Sequence, residues 1–174
     1  MVSSTVYGAE SDLDQIAAIL RQQFGYKVIM SKEGSVYVPA GVTPEKACID
    51  AVGTCDLFFG IIFPRYGSGI THKEFKEAIK LNKPRWFLAH SQIEFLRKLL
   101  QPKMYTRAGK RKKFNIPKTS VLDSIEVIDM YNEVKKDWVQ SFSDISEAMT
   151  FLETQFGDME LRRVELEKIK KTKK

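Results

Sequence analysis

Leu57-Phe58-Phe59-Gly60-Ile61-Ile62-Phe63 runs straight into Pro64-Arg65-Tyr66-Gly67-Ser68-Gly69-Ile70-Thr71-His72-Lys73-Glu74, and that order decides the fold. The first stretch carries no charge and is apolar at odd and even positions alike. It reads as a strand buried on both faces, the pattern of a parallel sheet's interior. A glycine loop follows, then an amphipathic helix over 72–82 with Phe75, Ala78 and Ile79 facing inward. Strand, loop and helix in that order place Arg65, the glycines and Glu74 at the carboxyl edge of a sheet. Open α/β sheets bind their ligands at that edge.

The alternation continues outward on both sides. Upstream, Met1-Val2 is a strand stub before Ser3-Ser4-Thr5. Residues 10–24 carry Leu13, Ile16, Ala17, Leu20 and Phe24 at helical spacing, closed by Gly25. Residues 26–31 read as a second strand, and Val36-Tyr37-Val38 as a short extended piece. Thr43 as cap, Pro44 at the first helical position and Glu45 in the first turn open a helix to about Val52. Downstream, Pro84 stops the helix. Residues 85–89 are another buried strand and 91–100 a helix. A long loop covers 101–119, and a helix 120–136. Residues 138–142 alternate as a last strand. Ser143 caps a helix to Phe156, which Gly157 breaks before a charged helical stretch. The expectation is one three-layer α/β domain over 1–157, built on a mostly parallel sheet of about five strands. A charged tail, 158–174, follows it.

Composition bounds the function classes. With 43% of 174 residues hydrophobic, the chain can bury a core of its own. No apolar run approaches a membrane span, and the start lacks a secretory pattern, so a cytoplasmic protein without membrane contact is expected. Cys48 and Cys55 read as small core residues. Two Cys and two His at these spacings build no metal cluster, and no cofactor is expected. The net charge of +6 is uneven: residues 102–113 contribute +6 and residues 160–174 contribute +4, which leaves the rest of the chain at −4. An acidic body argues against a nucleic-acid platform. The stretch from Arg107 to Lys113, inside the basic loop 102–119, is either a polyanion contact or a solvated loop.

The candidate site residues each admit a plain structural reading. Thr71-His72-Lys73-Glu74 fits a capping box, with Glu74 bonding back to the cap amide. Equally, Glu74 is a carboxylate beside a glycine loop, suited to ribose hydroxyls or to the cationic sugar of a breaking N-glycosidic bond. Arg65 can fork onto a phosphate or make a surface ion pair. Tyr66 can stack on a base or pack. Gly67 permits close backbone approach or simply turns the chain. Ser3, Ser4 and Thr5 offer hydroxyls and amides to phosphate or ribose, or serve as turn and cap residues. His90 ends a strand at the same edge, as a ligand contact or a structural histidine.

Ser3-Ser4-Thr5-Val6-Tyr7, Cys55 through Ile62, Arg65-Tyr66-Gly67, Thr71 through Glu74 and the Lys83-Pro84 close together resemble an uncharacterised bacterial domain family. That family is often found at the N-terminus of multidomain, NTPase-containing defence or signalling proteins. It is in turn similar to the TIR and nucleoside 2-deoxyribosyltransferase group, whose sheet is flavodoxin-like. The resemblance covers residues 2–90. It implies that Glu74 is a catalytic glutamate acting on NAD or a nucleoside, with NAD as substrate rather than cofactor. It also implies that Ser3 and Ser4 lie in the nucleotide-contacting loop. Thr71 belongs to the same motif. The expected partner is a nucleotide or nucleoside. Self-association is left open, since a non-enzymatic TIR-like interaction module is the alternative. Nucleic-acid binding through the basic loop is a weaker one.

Overall fold

The computed structural model describes residues 1–172, with the backbone alone described at residue 33 and over 165–172. The last two residues of the expected tail, 173 and 174, lie outside the described residues. In chain order the elements are β1 (Val2–Ser4), α1 (Glu10–Gln22), a single 3-10 turn (Ser31–Glu33), α2 (Pro44–Thr54), β2 (Phe58–Ile62), α3 (Ile70–Lys80), β3 (Arg85–His90), α4 (Ser91–Met104), α5 (Glu126–Val134), β4 (Val139–Phe142) and α6 (Ile145–Thr172).

The four strands pair in parallel in the order β1-β2-β3-β4, with Ser3 opposite Gly60, Gly60 opposite Phe87, and Phe87 opposite Val139. Alternation along β2 divides the core. Phe58 and Ile62 pack with α3, α4 and α5 on one face. Phe59 and Ile61 pack with α1 and α6 on the other. The result is a three-layer α/β fold of the flavodoxin-like kind, as the alternation of elements implied. Gly60 is required by this packing. A Cβ there would fall 2.6 Å from the Phe87 ring and 2.9 Å from Phe75.

Four strands form where about five were expected. Residues 26–31 lie along the free edge of β1, with Val28 and Met30 buried. The Val2 amide donates to the Ile29 carbonyl at 2.9 Å, but no ladder develops. β1 is only three residues long, and Met30 turns away from it, its amide donating to the Ser35 hydroxyl at 2.7 Å.

Other boundaries move for identifiable reasons. Ser3 and Ser4 sit within β1 rather than after it. α4 continues through Pro102 to Met104, shortening the loop expected from residue 101. α5 starts at Glu126, not 120. The Thr119 hydroxyl accepts the Leu122 amide at 2.9 Å, and Ser124 accepts the Glu126 amide at 3.1 Å, so local turns occupy 119–124. The cap of α6 is Asp144 rather than Ser143. Its carboxylate accepts the Glu147 amide at 3.1 Å, while Glu147 reaches back to the Ser143 amide at 2.7 Å. Gly157 does not interrupt α6.

Cys48 and Cys55 are buried, free thiols. Among the described residues no helix is long and apolar enough to cross a membrane, and no cluster of His, Cys, Asp or Glu could hold a metal.

Candidate functional site

The carboxyl ends of β1 and β2 open into a cleft of about 370 Å³. Its walls come from three loops. Thr5 and Tyr7 follow β1, Arg65 and Gly67 follow β2, and Lys118, Asp123 and Ser124 precede α5. Parallel strands bring the first two loops together, because every loop that leaves a strand's carboxyl end for a helix emerges at the same edge; the third joins α4 to α5. Among the described residues neither Arg65 nor Lys118 forms an ion pair.

The loop after β2 is rigidly built. Gly67, at φ +62°, holds a left-handed conformation that side-chain-bearing residues rarely adopt, and a Cβ there would stand 2.9 Å from the Thr5 methyl group. The Tyr66 ring packs over Gly69 and turns its hydroxyl toward His72 Nδ1, 3.1 Å away. His72 is buried, and its Nε2 has no hydrogen-bond partner. Burial and then Lys76 push the His72 pKa below its ordinary value. The Tyr66 and Gly67 amides both point at the Asp123 carboxylate. Tyr66 N donates to it at 2.9 and 3.1 Å, and Gly67 N at 2.9 Å. Burial of Asp123 works against its ionised form. The bonds from Gly67 and Tyr66 outweigh that and hold its pKa below the ordinary value.

Glu74 lies deeper. It does not belong to a capping box: α3 starts at Ile70, with the left-handed Gly69 as its cap residue, so Thr71 is the second helical residue and Glu74 the fifth. Glu74 instead faces β1, where the Ser3 hydroxyl donates to Glu74 Oε2. The Cys48 thiol of α2 adjoins the same carboxyl. Only 3% of Glu74 is exposed. Burial raises its pKa, and the Ser3 and Cys48 bonds counter only part of the rise. Burial and the adjoining carboxylate push the Cys48 thiol up to about 11, so it stays protonated. Ser3 stands two residues before the cleft-lining Thr5, so Glu74, bonded to Ser3, lies beneath the cleft rather than in its wall.

Of the residues singled out from the sequence, Thr5, Arg65 and Gly67 line the cleft. Tyr66 contributes an amide rather than its ring. Ser3 and Glu74 sit beneath the cleft, bonded to each other. Ser4 is half-buried, and Thr71 is buried inside α3. His90 caps α4, its Nδ1 accepting the Gln92 amide at 3.3 Å, and its ring meets Phe142 edge-on. Tyr7, Lys118, Asp123 and Ser124 were not anticipated. The last three were hidden inside an expected loop and helix. Asp123-Ser124 ahead of an apolar periodic run was the available signal, a helix-start pattern four residues later than the one chosen.

A family model described as "Domain of unknown function (DUF4062)" matches residues 1–156. No curated protein and no solved structure matches the chain.

Proposed function

The chain belongs to the DUF4062 family, and from that premise we propose that it is a nucleotide-binding domain whose phosphate site is the cleft at the carboxyl edge of the sheet. The observation that carries this reading is the pair Arg65 and Lys118, two cations without acidic partners among the described residues, lining one cleft at the fold's customary ligand edge. Tyr7, 77% exposed at the rim, offers a ring to a base. The unit that binds is the α/β body over 1–157, beyond which α6 runs on to Thr172.

The finer part of the proposal is the chemistry. The likeness to TIR domains and nucleoside 2-deoxyribosyltransferases suggests cleavage of the N-glycosidic bond of NAD or a nucleoside, in a bacterial defence or signalling setting. Glu74 is the carboxylate for that role. It would oppose positive charge on the sugar, once a ribose reaches it past Ser3 and Thr5. This chemistry requires the floor of the cleft to open, because Glu74 is sealed as found.

Calorimetric titration with ADP, AMP and NAD tests the binding. Arg65→Ala and Lys118→Ala should each weaken ADP by about tenfold, the scale of one charge-assisted bond. Unchanged affinity in both variants would sink the phosphate assignment. Incubation with NAD tests the chemistry: product formed equally by wild type and Glu74→Gln would remove Glu74 from it.

A further inference from the structure

We propose that the Tyr66 and Gly67 amides form the subsite for a ligand phosphate group, and that the Asp123 carboxylate occupies this subsite until a phosphate displaces it. This rests on the cleft being the nucleotide site. Two successive backbone N–H groups converging beside a left-handed glycine make an anion-binding nest. Here the nest is filled, with both amides donating to Asp123 at 2.9–3.1 Å. Gly67 and Asp123 also line the cleft, alongside Arg65 and Lys118. The nest therefore opens toward the place where the unpaired cations wait.

Charge favours exchange. Asp123 brings one negative charge to a cleft that Arg65 and Lys118 also line. A phosphate dianion in its place would balance both, and its oxygens can take the same two amides. The chain need not refold for this. Leu122 and Ile125 on either side of Asp123 are buried in the core and stay anchored. Residues 117–121 are exposed, which leaves the Asp123 side chain room to rotate out. The carboxylate would then act as a competing internal anion, so that only a ligand bearing a phosphate group gains entry.

Calorimetry with ADP, inorganic phosphate and adenosine, on wild type, Asp123→Ala and the isosteric Asp123→Asn, provides the test. Removing the carboxylate should tighten ADP and inorganic phosphate by about tenfold and leave adenosine unchanged. A gain with ADP but not with inorganic phosphate would still assign the group, with the nucleoside needed to deliver it. Weaker ADP binding in both variants, with wild type binding normally, would make Asp123 a brace for the loop and overturn the proposal while the nucleotide reading stands. An equal gain for adenosine would overturn it too. Absence of binding by every variant would end both readings. A further readout needs no variant: phosphate added to the wild-type protein should move the Tyr66 and Gly67 amide resonances. Amides that stay still while ADP binds would overturn the displacement.

Discussion

Glu74 shows how a residue's surroundings decide what it can do. In sequence it looked like a helix-cap acid or a catalytic acid. Its placement in α3 removes the first reading, because the helix begins at Ile70 and the side chain points to Ser3 instead. A carboxyl buried with only a hydroxyl and a thiol for partners resists ionisation, so its pKa is raised. The sign of the stability effect follows. In the unfolded chain Glu74 ionises near the ordinary value of 4.5, whereas in the folded protein it keeps its proton to higher pH. The folded state binds more protons in that interval, so stability falls as pH rises from the ordinary value to the raised one, then levels off. Glu74→Gln removes the fall. Urea unfolding across this range should find the variant gaining on wild type as pH rises, with the gain vanishing below the ordinary Glu value. Parallel stability curves for the two proteins would show that Glu74 carries no such strain. The burial behind this effect was not legible in the sequence. Ser3 and Glu74 are 71 residues apart, and only the packing of α3 against β1 brings them together.

At the scale of elements, reading went well where local chemistry is decisive and poorly where a turn imitates a helix. Thr43-Pro44-Glu45 opens α2 as expected, with the Thr43 hydroxyl accepting the Lys46 amide at 3.3 Å. β2 and β3 stand within one residue of their expected limits, because an apolar run of that length has no other place to go. Residues 120–125 have helical periodicity, but the Thr119 and Ser124 side chains take up the Leu122 and Glu126 amides there, while Asp123 turns away to the Tyr66 and Gly67 amides. Gly60 was legible as part of a strand, but not as a packing requirement. Its α-carbon faces a cluster in which Phe58 and Phe75 meet edge-on at 5.8 Å, and Phe75 and Phe87 stand 5.2 Å apart. Gly60→Ala should cost about 1–3 kcal/mol, the usual penalty for overpacking a filled core. Equilibrium denaturation would measure it, and a loss within error would mean that the rings can yield.

For the whole molecule, the open question posed by the sequence was how the sheet ends beyond β1. Residues 26–31, expected as one of about five strands, lie there, and Val28 and Met30 enter the same core as Leu13 and Phe59. The backbone pattern is absent, since the segment gives β1 the Ile29 carbonyl and then turns to Ser35. Side-chain burial and strand pairing are separable, and alternation in sequence reports only the first. An edge covered in this way is still protected from pairing with another chain, because apolar side chains hold the cover in place. It should also be the weak margin of the domain. Amides of residues 27–29 have no ladder to break before exchanging, whereas those of β2 and β3 lie between two neighbouring strands. Hydrogen exchange followed by mass spectrometry should find residues 27–29 exchanging through local opening. β2 and β3 amides should exchange only with global unfolding, separated from the edge by most of the stability of the fold. Protection of residues 27–29 equal to that of β2 would mean that a fifth strand pairs in solution.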